Sequence, residues 1–272
     1  QPSATLASTD GPLPSPTTVP ALEISPTPVL PEGLIKDEHG VVMKLIPASN
    51  FWMGNDGDAW SARPMRSVSL DAYYIDIYEV TNAAYALCVN AGVCTTPQRT
   101  KSNTRIAYFG EPDFDNFPVV QVNWAMAQQF CQWRGARLPT EAEWEKAARG
   151  DADQRTLPWL DATLINCTLA NYKSCGKEDT DAVDSHPNGV SPYGLYDMAG
   201  NVREWVSDWY DQEYYRNAPA NNPQGPASGT NRVTRGGSWQ DTSNFLRVYY
   251  RMEEYPGTYS YWIGFRCVRS SE

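Results

Sequence analysis

Six cysteines constrain the fold of this 272-residue chain more than any other feature. The chain has only two histidines and no CxxC pair, so a zinc site is poorly supported. Six cysteines allow fifteen disulfide pairings in principle. Spacing along the chain favours Cys88–Cys94 and Cys167–Cys175, each of which closes a small loop, and this leaves Cys131 to pair with Cys267. Disulfides predict an oxidising compartment, hence a secreted or cell-surface protein; six buried free thiols in a cytosolic protein are the alternative.

Charge and hydropathy argue against two classes of partner. Acidic side chains outnumber basic ones by 32 to 22, which gives a net charge of −10 and repels a phosphate backbone, so we expect no nucleic-acid partner. No apolar run reaches the roughly 18 residues that a membrane-spanning helix needs. Ten Trp and sixteen Tyr are many for this length and are typical of a loop-rich fold held by aromatic clusters.

The first 31 residues differ in composition from the rest of the chain. Eight are Pro and nine are Ser or Thr, and none is Lys, Arg or aromatic, so this segment cannot bury enough apolar surface to fold alone. An extended, largely polyproline-like conformation is expected for it. We therefore divide the chain into an N-terminal tail over residues 1–32 and a folded domain over residues 33–272.

Spaced aliphatic side chains distinguish the tail from a simple spacer. Those nearest the folded domain are Leu22, Ile24, Val29 and Leu30. We expect them to dock on a neighbouring copy of the chain, by strand addition or by insertion into grooves. A head-to-tail contact need not close, so it predicts an open helical filament. The alternatives are a flexible stalk, O-glycosylated on its Ser and Thr, and a tail folded back on its own domain.

Short elements and long irregular connections are predicted for the folded domain. Strands are predicted over residues 41–47, 68–74, 232–239 and 261–269. Helices are predicted from Thr81 or Asn82 to Cys88, over Trp124–Gly135 after a capping Asn123, and over Glu141–Arg149 after a capping Thr140. Between residues 151 and 226 turn residues dominate. The pattern indicates an α+β domain, loop-rich, with few short strands and two or three helices.

Three blocks near the C-terminus carry a resemblance to a known family. They read Gly-Leu-Tyr-Asp-Met-Ala-Gly-Asn-Val-Arg-Glu-Trp over residues 194–205, Arg-Gly-Gly-Ser-Trp over 235–239 and Gly-Phe-Arg-Cys-Val-Arg over 264–269. With further blocks in matching order from about Val42 to Arg269, the chain resembles the formylglycine-generating enzyme family, also called the sulfatase-modifying factor family. The resemblance implies that family's C-type-lectin-like fold.

The cysteines that the family implies are only partly present. A bridge between the central helix and the final strand is matched by Cys131 and Cys267. Active members also carry two cysteines whose thiolates hold Cu(I), the first of them three residues after the serine of Arg-Gly-Gly-Ser-Trp and the second five further on. Here those positions are Asp241, a hard oxygen donor, and Leu246, which is no donor, so neither suits this soft ion.

The missing pair decides between the two functions that the resemblance allows. We expect an extracellular domain without formylglycine-generating activity that acts in binding or assembly. The alternative is a copper-dependent oxidase that converts a protein cysteine to formylglycine through other cysteines of the chain. The iron-dependent sulfoxide synthases of this fold are ruled out as a model, because they need a His triad from a second domain.

Calcium is the cofactor that the resemblance implies, held by side-chain and main-chain oxygens as this ion requires. The first set of ligands corresponds to the side chains of Asp197 and Glu204 and the carbonyls of Gly200 and Val202. The second set corresponds to the side chains of Asn171 and Asp179 and the carbonyls of Tyr172 and Asp181. We expect one or two ions; the alternative is that these residues only form hydrogen bonds within loops.

Aromatic residues near the C-terminus form a candidate ligand surface. Tyr255, Tyr259 and Trp262 occupy the region where active relatives bind peptide and where relatives used for display bind ligands. Exposed rings suit stacking on sugars or contact with protein, so a surface receptor for glycan or peptide is a further hypothesis. Packing inside the fold is the alternative for these rings.

Two other groups of side chains carry weaker signals. Arg235, Arg247, Arg251 and Arg266 could mark an anion or peptide groove, but such arginines more often bind buried acidic side chains. His186 follows an Asp-Ser pair, yet adjacent residues cannot take the geometry of a catalytic triad. Its position before a proline in a polar loop predicts a surface histidine.

Overall fold

The computed structural model describes residues 1–3, 30–57, 60–151, 154–159 and 164–271. The chain divides into two compact units, Gln1–Leu30 and Pro31–Glu272, and every helix and strand below belongs to the second. Of the four aliphatic residues proposed for assembly, Leu22, Ile24 and Val29 lie outside the described residues and Leu30 lies within them. A search of the described helices finds none with the length and apolar character to cross a bilayer.

Four α-helices occur in the described residues, and local sequence explains where three of them begin. They are α1 (Asn82–Asn90), α2 (Trp124–Trp133), α3 (Glu141–Arg149) and α4 (Tyr214–Asn217). The side chains of Thr81, Asn123 and Thr140 cap α1, α2 and α3, because each accepts a hydrogen bond from a main-chain N–H in the first turn. Glu143 completes a capping box on α3. The three predicted helices are therefore present, and the single-turn α4 is additional.

Ten short strands form three sheets in the part of the chain that the structure describes. They are β1 (Leu34–Lys36), β2 (Val42–Ile46), β3 (Ser49–Met53), β4 (Arg66–Leu70), β5 (Tyr73–Asp76), β6 (Arg203–Trp209), β7 (Arg232–Arg235), β8 (Met252–Glu254), β9 (Ile263–Gly264) and β10 (Val268–Ser270). The first sheet has the order β1-β2-β5-β10, and β3 pairs with β4. The third sheet has the order β8-β7-β6-β9, in which β6 and β9 are parallel. Since β10 pairs with β5, the C-terminal strand closes the sheet that the first strands begin.

Two of the predicted strands are divided in the structure. In the segment 68–74, Leu70 is buried in β4, but the next buried residue is Tyr73, in β5 of another sheet. The prediction of one alternating strand was wrong here, because the two-residue link at 71–72 shifts the alternation by one position as the chain changes sheet. The predicted strand over 261–269 likewise becomes β9 and β10, with residues 265–267 outside any strand.

Two large apolar clusters fill the domain, and β6 contributes to both. Val206 packs in the cluster that surrounds Trp144 of α3. Its neighbour Trp205 packs in the cluster formed with α1 and α2. Successive side chains of a strand point to opposite faces, so β6 separates the two clusters. The strand thereby links the α3 side of the domain to the disulfide-bonded side.

Buried ion pairs tie α3 to the third sheet and its loops. Glu145 binds Arg149 at 2.8 Å and Arg235 at 2.6 Å, and Glu141 binds Arg251 at 2.7 Å. All five side chains are almost completely buried. Removing one partner of such a pair is strongly destabilising, by about 3–5 kcal/mol, because the other charge stays buried without compensation. Of the arginines considered for an anion groove, Arg235 and Arg251 therefore form buried ion pairs with α3.

All six cysteines are paired. The disulfides are Cys88–Cys94, Cys131–Cys267 and Cys167–Cys175. The first and third close small loops, with sequence separations of 6 and 8 residues. The second joins α2 to the residue that precedes β10, across a separation of 136 residues. These are the pairs that spacing along the chain and the family resemblance predicted.

Candidate functional site

The position of the first reactive cysteine of the family is occupied by an ion pair. Asp241 accepts hydrogen bonds from Arg203, with Nε 2.8 Å from Oδ2 and Nη2 2.5 Å from Oδ1. Ser238, the serine of Arg-Gly-Gly-Ser-Trp, donates its hydroxyl to Asp241 Oδ2 at 2.7 Å. Both oxygens of the carboxylate are thus bound within the protein. A bidentate arrangement of this kind fixes the loop as well as neutralising the charge.

The position of the second reactive cysteine belongs to the apolar core. Leu246 is fully buried and packs with Leu157, Trp159, Tyr172 and Ala199, among others. Every cysteine of the chain lies in a disulfide, so no thiol is free to replace the missing pair. The structure therefore places a salt bridge and a packed leucine where copper chemistry needs two thiolates.

Glycine at two positions allows the chain to turn between β7 and the Asp241 loop. Gly236 and Gly237 have φ angles of 89° and 72°, which residues other than glycine rarely adopt. A Cβ on Gly237 would also lie 2.9 Å from the main-chain oxygen of Phe245. The turn directs Trp239 toward the C-terminal segment, where its indole N–H donates to the carbonyl of Tyr261 at 3.0 Å.

The first candidate calcium set lies in the loop that leads into β6. Asp197 is buried, and its Oδ1 lies 3.2 Å from Nδ1 of His186, while its Oδ2 has no hydrogen-bond partner among the described residues. Glu204 accepts hydrogen bonds from Arg266 on both carboxylate oxygens, from Nε to Oε2 and from Nη2 to Oε1, each at 2.7 Å. The indole of Trp144 also donates to Glu204 Oε2, at 2.8 Å, so Oε1 keeps the greater capacity to accept.

A third carboxylate, not predicted from the sequence, lies beside this set. Glu79 is buried and accepts hydrogen bonds from Asn201 Nδ2 at 2.6 Å and from the main-chain N–H of Val202 at 3.1 Å. Burial and the nearby carboxylates of Asp197 and Glu204 raise the pKa of Glu79 well above its usual range. Burial likewise raises the pKa of Asp197, although the hydrogen bond to His186 opposes the shift. Buried negative charge is therefore in excess here.

The set fits a cation that takes oxygen ligands. Asp197 Oδ2 is a buried acceptor without a donor, which is costly unless a cation or water binds it. No group of three His, Cys, Asp or Glu side chains in the described residues is arranged to hold a metal alone. A calcium ion would therefore need the carbonyls of Gly200 and Val202 as well, which the family's ligand set includes.

The second candidate set adjoins the first, but its carboxylate already has a cationic partner. The main-chain N–H of Asn201 donates to the main-chain carbonyl of Asn171 at 2.8 Å, which brings the two loops together. Asn171 Oδ1 is a buried acceptor without a donor among the described residues. Asp179 is bound by Arg105 at 3.2 Å and by hydrogen bonds from Ser102 and Thr104.

These bonds set the charge state of Asp179. Burial acts to raise its pKa, but the hydrogen bonds from Ser102 and Thr104 outweigh burial and lower it. The carboxylate is therefore stable as an anion beside Arg105, without a metal. The carbonyls of Tyr172 and Asp181 each accept a hydrogen bond, from Cys175 N at 2.8 Å and from Asn201 Nδ2 at 3.3 Å. This set has less need of a divalent cation than the first.

His186 is not the surface residue that its polar loop predicted. The side chain is only 3% exposed and lies between Asp197, at 3.2 Å, and Asp181, at 3.6 Å. The ring is held inside because Asp181, five residues before it, and Asp197, eleven residues after it, place their carboxylates on either side of it. Sequence reasoning could not find this, since the pattern around His186 contains only turn residues.

The predicted ligand surface is only partly brought together. Tyr255 is 62% exposed and Tyr259 is 41% exposed, while Trp262 is half-buried. Tyr259 and Trp262 line one cleft of about 580 Å³, and Tyr255 is not among the residues that line it. The opposite wall of the cleft is the loop that contains Arg99 and Lys101, which no sequence pattern had marked.

Comparison with known proteins identifies relatives over nearly the whole domain. Residues 35–271 match the family described as sulfatase-modifying factor enzyme 1-like domain. The chain is 34% identical to the formylglycine-generating enzyme of Streptomyces coelicolor, over 84% of this chain and 88% of that enzyme. It is also 34% identical to the serine/threonine-protein kinase pkn1 of Chlamydia caviae, over 91% of this chain. The chain spans only 39% of the length of that kinase.

A solved structure supports the same assignment of the fold. Treponema denticola variable protein 1 superposes with a TM-score of 0.71 and 28% sequence identity. The superposition covers 85% of this chain and 95% of the Treponema chain. The fold of the domain is thus shared with a protein of similar size.

Proposed function

This chain belongs to the sulfatase-modifying factor family, and on that premise we propose that it is a non-catalytic member that acts in binding and assembly. The observation that carries the proposal is the bidentate ion pair between Arg203 and Asp241. Asp241 stands at the position where active members carry the first of the two thiolates that their reaction requires. At the position of the second thiolate stands Leu246, which is packed in the apolar core.

The donor set explains why the family's chemistry is lost. Formylglycine formation in the family uses two thiolates to hold Cu(I), and a soft ion prefers soft sulfur ligands. Asp241 offers oxygen that is already bound to Arg203, and Leu246 offers no donor. Recruiting Cys131 or Cys267 would require breaking the disulfide that joins α2 to the C-terminal strand. The two positions that hold Cu(I) in active members therefore carry no thiolate in this chain.

Assembly is proposed through the N-terminal tail, on the evidence of its sequence. Its Pro-rich composition favours an extended conformation, and its spaced aliphatic residues suit docking in grooves or on a sheet edge. We propose that Leu22, Ile24, Val29 and Leu30 dock on a second copy of the chain. A head-to-tail contact of this kind builds a filament or surface assembly. Three disulfides fit the oxidising compartment in which such an assembly would form.

Calcium is proposed as a structural cofactor of the loop before β6. Asp197 and Glu204 would supply side-chain oxygens, and Gly200 and Val202 would supply carbonyls. The excess of buried carboxylates around Glu79 supports this choice, because a divalent cation would offset their charge. When bound, the ion would fix the loop that orients Arg203 at the start of β6. The second set, around Asn171, is proposed as a weaker site.

An activity assay tests the loss of chemistry. The oxidised protein is incubated with Cu(I), O2 and a cysteine-containing peptide of the sulfatase type, with an active formylglycine-generating enzyme as the positive control. We expect no aldehyde in the peptide by mass spectrometry. Aldehyde that disappears when Cys131 or Cys267 is replaced by Ser would overturn the proposal and establish an oxidase with a rearranged site.

A second experiment tests the assembly. The full chain and a chain lacking residues 1–31 are compared by size-exclusion chromatography with light scattering. We expect the full chain to form oligomers and the shortened chain to be monomeric. The variant Leu22→Ser with Ile24→Ser should also be monomeric, whereas the matched control Leu6→Ser with Leu13→Ser, farther from the domain, should keep the assembly. An unchanged mass after deletion would refute a role for the tail.

A further inference from the structure

A cleft of about 580 Å³ lies between a loop after the first disulfide and the segment before β9. One wall carries Gln98, Arg99 and Lys101, and the other carries Tyr259 and Trp262. The volume is within the range of clefts that bind small ligands. None of the residues that line this cleft is a candidate calcium ligand, and the proposed function makes no use of it.

Gln121 joins the two walls. Its main-chain N–H donates to the carbonyl of Ser260 at 2.9 Å, and its carbonyl accepts from the N–H of Gln98 at 2.9 Å. To make both bonds it adopts a φ of 61°, which is uncommon for a residue other than glycine and often marks a site held for function. Gln121 is buried and lines the cleft. The walls are therefore fixed to each other before any ligand binds.

The far side of the aromatic wall is fixed as well. The carbonyl of Trp262 accepts from the main-chain N–H of Arg203 at 2.9 Å, and the carbonyl of Tyr261 accepts from the indole of Trp239 at 3.0 Å. The hydroxyl of Tyr259 accepts from Asn123 Nδ2 at 3.0 Å. The backbone of this wall and the hydroxyl of Tyr259 are thus held by the domain, so ligand binding need not order the segment.

Two cationic side chains give the cleft positive charge. Arg99 and Lys101 are exposed, and among the described residues neither forms an ion pair with a carboxylate; Lys101 lies 5.8 Å from the ring centre of Tyr261. No Asp or Glu lines the cleft. In a chain with a net charge of −10, two cations without acidic partners at one cleft favour a ligand that carries negative charge.

From these contacts we propose that the cleft binds an acidic oligosaccharide. Aromatic rings suit the apolar C–H faces of sugars, and the amides of Gln98 and Gln121 can hydrogen-bond to hydroxyl groups. Arg99 and Lys101 would bind a carboxylate or sulfate on the sugar. An acidic peptide is the poorer fit, because neither wall is a strand to which a peptide could add, and no Leu, Ile or Val lines a pocket for an anchoring side chain.

The test uses the full chain on an array of glycans in which acidic members, sialylated, uronate-containing or sulfated, are matched with neutral counterparts. Binding is expected to acidic members only. For the best acidic member, the variants Arg99→Gln and Lys101→Gln should each weaken affinity by roughly tenfold in calorimetry, as loss of a charge-assisted hydrogen bond predicts. Tyr259→Ala should weaken it similarly, through loss of stacking.

Controls separate a binding role from a structural one. Lys36→Gln removes an exposed cation on β1 and should leave affinity unchanged. Circular dichroism and melting of each variant should match the parent chain, because the replaced side chains are exposed. Deletion of residues 1–31 should not affect glycan binding, so failure of the assembly proposal and failure of this one are distinguishable. Three results would each overturn the proposal: equal binding to neutral glycans, no binding to any acidic member, or tighter binding of hexaglutamate than of every glycan.

Discussion

The ion pair between Arg203 and Asp241 should contribute measurably to stability, and a double-mutant cycle can isolate its contribution. The perturbations are Arg203→Gln, Asp241→Asn and the two together. The pair is bidentate, with distances of 2.8 and 2.5 Å, and the side chains are 15% and 8% exposed. It is thus neither a solvated surface pair nor one completely withdrawn from water.

The expected magnitude follows from that intermediate burial. Exposed ion pairs typically couple by about 0.2–1 kcal/mol, whereas breaking a fully buried pair costs about 3–5 kcal/mol. We expect each single variant to lower the free energy of unfolding by about 2–3 kcal/mol. The double variant should be less destabilised than the sum by about 2 kcal/mol, because it leaves no unpaired charge. The hydroxyl of Ser238 keeps an acceptor in both single variants, because the asparagine that replaces Asp241 retains one side-chain oxygen.

The cycle is measured by urea unfolding at pH 7 with the disulfides intact, at low and at high salt. The coupling should change little with salt, because the pair is largely shielded from solvent. The exposed pair Arg216–Glu213, whose side chains are 51% and 48% exposed, serves as the control and should couple by less than about 0.5 kcal/mol. A coupling between Arg203 and Asp241 as small as that of the control would refute the view that this position has become structural.

Three further perturbations test other parts of the structure. Replacing Cys131 and Cys267 by Ala should lower the free energy of unfolding by roughly 4–5 kcal/mol, since the bridge spans 136 residues, and recovery of either thiol by alkylation of the native protein would contradict the pairing. Calcium at a hundredfold excess over its Kd should raise the melting temperature by roughly 5–10 °C over EGTA, and Asp197→Asn should reduce the shift; superimposable curves for the parent chain would exclude the ion. Burial, with the neighbouring Glu141 carboxylate, raises the pKa of Asp208 to about 7. The folded state therefore holds this proton more tightly than the unfolded chain, so the free energy of unfolding should decrease as the pH rises from about 4 to about 7. In urea unfolding, the midpoint of the Asp208→Asn variant should decrease less over that range than the midpoint of the parent chain.

Features determined by neighbouring residues could be predicted from the sequence. The capping box of Thr140 and Glu143 lies within four positions, so the start of α3 is apparent from the chain alone. The alternation over 68–74 also looked local, but the change of sheet at 71–72 depends on how β5 pairs with β2 and β10. A short pattern cannot reveal that change, because alternation is preserved on both sides of the link.

The candidate sites depended on contacts over longer distances. Asp241 could be identified as the replacement for a cysteine, but its partner Arg203 lies 38 positions away. Glu79 lies beside Asp197 and Glu204 only because the loop containing Asn201 folds against it. The loop containing Arg99 showed no motif, and it faces Tyr259 because Gln121 holds both walls. Each of these contacts is made by tertiary packing, to which periodicity and composition are insensitive.

The residues that identify the family are mostly those that hold its fold together. Arg235, at the start of Arg-Gly-Gly-Ser-Trp, binds Glu145 of α3 at 2.6 Å, and Arg266, in the final block, binds Glu204 at 2.7 Å. Both pairs are buried, so their loss would be costly to the stability of this chain, whatever its function. The motif residues therefore indicate the fold and not the activity. Function has to be argued from the positions that vary on such a scaffold, and here Asp241 is held by Arg203 in an ion pair of the folded domain.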